Sequence, residues 1–219
     1  MESSGKYLNY GERETSYLKR KDKRLGRVID RIGHIDWPIH DNLFTSLVFH
    51  IIGQQLSGKV TQKIWHRMEA TLGSIEPRTL AAIDPAELRP TGMSLRKACY
   101  ITELAQKAES GELDLPSLTA MNDRNVIDTL CRLRGVGPWT AEMLLLSSLG
   151  RPDILSYNDY GILRGMRMVY GHESIDRARF ERYRRRLSPY GSVASLYFWA
   201  VAGGAIPELK DKAKQKPRT

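Results

Sequence analysis

The stretch LRGVGPWTAEMLLL, residues 133–146, constrains the fold more than any other part of the chain. Two glycines flank a valine, then come Pro138 and Trp139, then a run with helical spacing. A dinucleotide-binding turn would need a strand before its glycines and a longer G-x-G-x-x-G frame. The preceding residues instead place Val126, Ile127, Leu130 and Leu133 at helical intervals. Pro138 suits the first turn of a new helix, where its missing N–H costs no bond. Ala141, Leu144, Leu145 and Ser148 then give that helix a small or apolar stripe. Residues 125–149 are therefore predicted as helix, Gly-Val-Gly hairpin, helix. Gly135 and Gly137 allow positive φ and close approach of the backbone to a ligand. The free amides at the start of the second helix attract an anion. Two readings stay open on these residues alone: a cradle for a phosphate, and a glycine-rich turn joining two core helices.

Charge bears on which phosphate that is. The 219 residues carry 34 Lys and Arg against 25 Asp and Glu, a net charge of +9. Such an excess fits a polyanion, whose counterions each basic contact releases, although a merely basic soluble protein has the same balance. Hydrophobic residues make up 41% of the chain, enough to core one large domain or two small ones. There is no long uncharged apolar run, and MESSGKYLNYGERE lacks a signal-peptide core. The expectation is an intracellular protein with no membrane partner, cytoplasmic (nucleoid) in a prokaryote and nuclear in a eukaryote. Cys99 and Cys131 lie inside helical patterns and read as buried thiols rather than a disulfide. Five scattered histidines and no cysteine cluster support neither a zinc site nor an iron–sulfur cluster.

The rest of the chain reads as helix almost throughout, so the predicted fold class is all-α. Residues 1 to about 15 look loose, and YLKRKDKRLGRVIDRIGHI reads as one basic amphipathic helix. LFTSLVFHIIGQQLS, capped by Asp41 or Asn42, is nearly all apolar and is expected to be central. Further helices are predicted over GKVTQKIWHRMEATLG, PRTLAAI, DPAELRPTG and SLRKACYITELAQKAESG, and again at 160–170, 176–187 and 191–202. The tail ELKDKAKQKPRT, net +3, reads as disordered. The Arg-rich run RARFERYRRRL and the basic LKRKDKRLGR are either solvated faces or DNA contacts.

LRGVGPWTAEMLLL followed by RPDILSYNDYGILRG resembles the helix-hairpin-helix plus Gly/Pro–Asp motif of the HhH-GPD DNA glycosylases. IIGQQLSGKVTQKI, LRPTGMSLRKACYITELA and PYGSVASLYFWAVAGG resemble, in the same order, segments of the AlkA-type 3-methyladenine DNA glycosylases. The likeness runs from about Leu43 to Gly203. AlkA itself carries an N-terminal β-domain for which this chain has no room, so the resemblance is to the shorter, purely helical members. It implies two helical lobes flanking a DNA-binding cleft, with residues 1–41 and 151–219 in one and 42–150 in the other. The hairpin and Asp159 would both face that cleft.

The resemblance also implies a monofunctional glycosylase that flips out alkylated purines such as 3-methyladenine and 7-methylguanine. It would hydrolyse the glycosidic bond and leave an abasic site in double-stranded DNA. A non-enzymatic DNA-binding module and, less favoured, an oxidised-purine glycosylase are the alternatives. The chemistry wants a carboxylate beside a cationic sugar. Asp159 precedes a predicted helix, which makes it equally a helix cap; the family motif places its catalytic Asp there. Asp153 is the second choice and is read as structural. Bifunctional members carry a nucleophilic lysine where this chain has Trp139, which has no amine to attack the sugar.

For the base pocket, Trp199 matches the family's stacking tryptophan, although by position alone it reads as core. Trp139, Tyr157, Phe44 and Trp65 are weaker pocket candidates with core packing as the default. Gln55 occupies the position that wedges into the duplex, with Gln54 beside it and Ser57 following; capping of that helix end is the alternative. Gly135, Val136, Gly137 and Thr140 would supply amide or hydroxyl donors to the DNA backbone. The main-chain carbonyls of Cys131, Leu133 and Val136 would hold a structural sodium or potassium ion. No other cofactor is expected, and the protein is expected to be a monomer.

Overall fold

The structure, a computed structural model, describes residues 6–213. Those residues form eleven α-helices and two 3-10 segments and contain no strand. The described residues divide into two compact units, one made of Lys6 and Pro38–Leu149, the other of Tyr7–Trp37 and residues 150–213.

The first unit is built around α3 (Leu43–Gly53), which packs on α4 (Gly58–Leu72), α6 (Leu95–Glu109) and α8 (Pro138–Ser147). Its near-continuous apolar sequence has the reason anticipated: Leu47, Val48, Ile51 and Ile52 are all buried. Asn42, rather than Asp41, caps α3 by accepting the Thr45 amide. The short α5 (Pro77–Ala82) packs on α6, and α7 (Asp123–Leu130) packs on α8 across the hairpin. DPAELRPTG forms a 3-10 helix, Pro85–Thr91, rather than an α-helix, with Pro90 inside it. Phe44 and Trp65 are buried in this unit, in keeping with the core packing taken as their default, and the Trp65 indole donates to Glu69.

In the second unit the predicted single basic helix is two, α1 (Glu12–Lys21) and α2 (Lys23–Ile32). Asp22 causes the break. Its carboxylate accepts the Arg24 and Leu25 amides and so starts a new helix. It also accepts the Tyr170 hydroxyl and an Arg186 N–H, at 3.1 and 3.0 Å, and is buried. The stretch expected to be loose is helical from Glu12; residues 1–5 lie outside the described residues. The helices α9 (Tyr160–Tyr170), α10 (Arg177–Leu187) and α11 (Gly191–Ala202) complete the unit. Helices α9 and α11 cross so closely at Gly165 that a Cβ there would overlap the Phe198 carbonyl. The tail is not disordered at its start. Asp211 accepts two bonds from Arg167, 2.8 and 2.7 Å, and Glu208 pairs with Arg31; residues 214–219 lie outside the described residues. Cys99 and Cys131 are free and half-buried. Among the described residues no helix is long and apolar enough to cross a membrane.

His50 is a half-buried histidine on α3 in the first unit. The Ser147 hydroxyl donates to the Met143 carbonyl, so its oxygen accepts from His50 Nε2–H at 2.8 Å. Burial, with a smaller push from His40, lowers the imidazole pKa from 6.5 to about 3. The unfolded chain therefore binds a proton near pH 6.5 that the folded one refuses until about pH 3. Stability is full above pH 6.5 and falls as the pH drops towards 3, by at most about 1.4 kcal/mol per pH unit from this group. His50→Gln is expected to flatten that slope in urea denaturation between pH 4 and 6; an unchanged slope would show that His50 is not its source.

Candidate active site

The loop from Gly150 ends at Asp159, which turns the chain into α9. Asp159 has extended backbone angles, φ −93° and ψ 113°, and its Oδ1 accepts the Ile162 amide at 2.8 Å. The carboxylate therefore caps α9 and sits at the positive end of its dipole. The same oxygen accepts the Trp199 indole N–H from α11 at 3.0 Å. Trp199 is half-buried and stacks on Trp37, with ring centroids 5.1 Å apart and planes 22° from parallel. Gly161 lets these groups close up: a Cβ there would lie 2.9 Å from Trp199 Cδ1 and 3.1 Å from Asp159 Oδ1. Beside them Tyr160 is an exposed aromatic, 71% accessible, at the first position of α9.

Asp153 is held differently. Its Oδ1 accepts the Gly191 amide at the start of α11 and its Oδ2 accepts the Ser188 hydroxyl, so both oxygens serve the α11 entry. Tyr157 packs edge-on against Phe180, and the Arg177 guanidinium lies over its ring, 4.9 Å from the ring centre. Its contacts are thus with α10.

The hairpin belongs to the first unit. Gly135 has φ +83°, and a Cβ there would overlap the Tyr100 ring, so glycine is required twice over. Gly137 precedes α8, whose first amides have no acceptor within the helix. Two of the expected contacts already have partners within the protein, one as a donor and one as an acceptor. The Val136 amide donates to the Leu133 carbonyl at 3.1 Å, closing the turn, and Val136 is buried. The buried Thr140 hydroxyl accepts from Gln54 Nε2 at 3.0 Å, and the same Nε2 donates to the Gly135 carbonyl at 2.7 Å. Gln54 is therefore a tie to the hairpin, not a free contact. Gln55 is exposed and has φ +60°, the only positive φ outside glycine among the described residues. Ser57 caps α4 through the Val60 amide. Trp139 meets His50 edge-on at 6.3 Å and is half-buried in this unit. Val136 N–H leaves the Leu133 carbonyl one lone pair for a cation. Among the described residues no three His, Cys, Asp or Glu side chains are grouped to hold a metal.

Residues 48–189 match the sequence pattern of the HhH-GPD superfamily base excision DNA repair proteins. The chain belongs to that superfamily. A solved DNA-3-methyladenine glycosidase from Bacillus halodurans is 36% identical, with a TM-score of 0.76, over 93% of this chain and 95% of that one. The DNA-3-methyladenine glycosylase of Saccharomyces cerevisiae is 33% identical over 57% of this chain, which spans only 46% of the yeast protein's length. A Schizosaccharomyces pombe 3-methyladenine DNA glycosylase, solved with abasic DNA, shares the fold with a TM-score of 0.81 at 22% identity, over 87% of this chain and 97% of that one.

Three residues of the cluster around Asp159 are not singled out by the sequence: Trp37, Gly161 and Tyr160. Trp37 sits in HIDWPIH, a loop with no periodicity, and reaches Trp199 only through folding. Gly161 and Tyr160 adjoin Asp159, so a glycine in the first turn of a helix was the available signal. Gly161→Ala is expected to push the indole away from the carboxylate and to cost about 1–3 kcal/mol of stability. The Trp199 indole N–H resonance should move upfield in ¹⁵N-edited NMR. A resonance that stays in place would mean the bond survives the methyl group.

Proposed function

We propose that this HhH-GPD protein is a monofunctional DNA glycosylase that hydrolyses alkylated purines from double-stranded DNA and leaves an abasic site. The observation that carries the reading is the 3.0 Å bond joining the Asp159 carboxylate to the Trp199 indole. It puts a fixed negative charge beside a partly exposed electron-rich ring. Base loss builds positive charge on the sugar, and a preorganised carboxylate stabilises that charge without reorganising. An electron-poor alkylated purine is attracted to the indole face by stacking and cation–π forces. Trp37 already covers one side of the ring, so the base stacks on the other. Such a base is a good leaving group and needs no dedicated acid.

With Trp139 in place of an amine, water is the nucleophile and the strand stays uncut. The duplex is gripped at the hairpin of the first unit, by the Gly135, Gly137 and Thr140 amides, while Gln55 fills the space left by the extruded base. A sodium or potassium ion on the Cys131, Leu133 and Val136 carbonyls would brace the hairpin, and no step passes through it. The protein works as a monomer.

The test is single-turnover release of methylated purines from duplex DNA, beside binding to an abasic-site mimic. Asp159→Asn is expected to slow release by about 10²–10³. Its DNA affinity should be unchanged or slightly higher, because a carboxylate near phosphates repels them. Near-normal release by the variant would move the chemistry elsewhere. Equal losses of release and binding would reduce Asp159 to a helix cap, and no release by the unaltered protein would leave a DNA-binding module.

A further inference from the structure

We propose that Lys97 is a positioning residue that holds the Gln54–Gln55 turn in register with the hairpin, so that Gln55 is already aimed when the duplex arrives. The inference rests on the reading that Gln55 enters the duplex as the base leaves. The Lys97 ammonium, half-buried, donates to the carbonyls of Ile52 and Gln54, each at 2.7 Å. Those carbonyls lie at and just past the C-terminal end of α3, where a cation is electrostatically favoured and a backbone acceptor would otherwise need water. From the same turn, the Gln54 side chain donates to the Gly135 carbonyl and to Thr140.

The fourth member closes the loop. Tyr100 lies three residues after Lys97, on the same face of α6, and its ring seats against Gly135. One helix thus holds the end of α3 with one side chain and the hairpin glycine with the next along that face, while Gln54 ties the two loops directly. Within this frame Gln55 alone is exposed, in a backbone conformation that non-glycine residues adopt only when their surroundings enforce it. The ammonium bonds to the carbonyl just before Gln55 and supplies that enforcement. Burial, with a smaller push from Arg96, lowers the Lys97 pKa, as expected of a head group partly withdrawn from solvent. A lysine that served only to attract phosphate would keep its head in water.

The experiment follows extrusion in stopped flow, using a duplex with 2-aminopurine next to one methylated purine, alongside single-turnover release. Lys97→Met keeps the stem and removes the ammonium. Extrusion is expected to slow roughly tenfold to a hundredfold, as small misplacements of positioned groups do. Lys97→Arg, which keeps a donor at that place, should restore most of the rate. In a Gln55→Ala background, Lys97→Met should cost almost nothing further, because the group it aims is gone. Additive losses, or normal extrusion by Lys97→Met, would overturn the proposal. If Gln55→Ala alone extrudes the base normally, the wedge reading itself fails, a separate outcome. If Lys97→Met melts too low to assay, Lys97→Arg and the tie at the other end, Gln54→Leu, decide by the same non-additivity with Gln55→Ala.

Discussion

A buried carboxylate has to be given hydrogen-bond donors, and at Asp159 the fold supplies two from different helices. Much of the second unit is arranged around that requirement. The first donor comes with α9 itself, since the residue that starts a helix faces its free amides. The second has to be brought from α11. Asp153 fixes where α11 begins, through the Gly191 amide, and Trp199 then falls eight residues, or about 12 Å, along the axis. The close crossing at Gly165 sets how near the two helices approach, and Gly161 removes the one side chain that would stand between indole and carboxylate. Two acidic residues of one loop thus divide the work, one setting up a helix and the other left at its neighbour's mouth.

The first unit solves the opposite problem. Its hairpin presents backbone groups, and the side chains around it hold that backbone still. Tyr100 fills the space a Cβ would take at Gly135, Gln54 ties the preceding loop to the turn, and Val136 points into the core. Residues that look like ligand contacts in the sequence, Gln54 and Thr140 among them, turn out to bond to each other. A polar side chain beside a functional turn serves the turn before it serves the ligand.

How much of this was legible follows from range. The all-helical class, the hairpin and the helices from Tyr160 onward are carried by local periodicity and by Gly and Pro punctuation, and these reach the page intact. The break at Asp22 was missed because the apolar spacing of α1 and α2 continues in phase across it. Only the burial of that carboxylate against Tyr170 and Arg186, about 150 residues away in sequence, makes it a cap rather than a surface charge. The position of Asp159 ahead of a helix was readable, but its bond to Trp199 and the stack on Trp37 join residues 40 and more apart. Lys97 carries no signal of its own within SLRKACYITELAQKAESG. Nothing in a single sequence reports such pairings, because they depend on crossing geometry rather than on spacing.

The two units also differ in how the chain supplies them. The hairpin unit is essentially one continuous stretch, whereas the other takes α1 and α2 from one end and α9–α11 from beyond Gly150. During synthesis the first two helices emerge more than a hundred residues before their packing partners, a wait on the order of ten seconds at ordinary elongation rates. Throughout it, Leu18, Leu25, Val28 and Ile29 have no core to enter, and the Asp22 carboxylate has neither Tyr170 nor Arg186. The continuous unit can close in that interval. A nascent chain would therefore possess the turn that resembles a DNA grip before it possesses the carboxylate, and an N-terminal pair of apolar helices would be the part most in need of a chaperone.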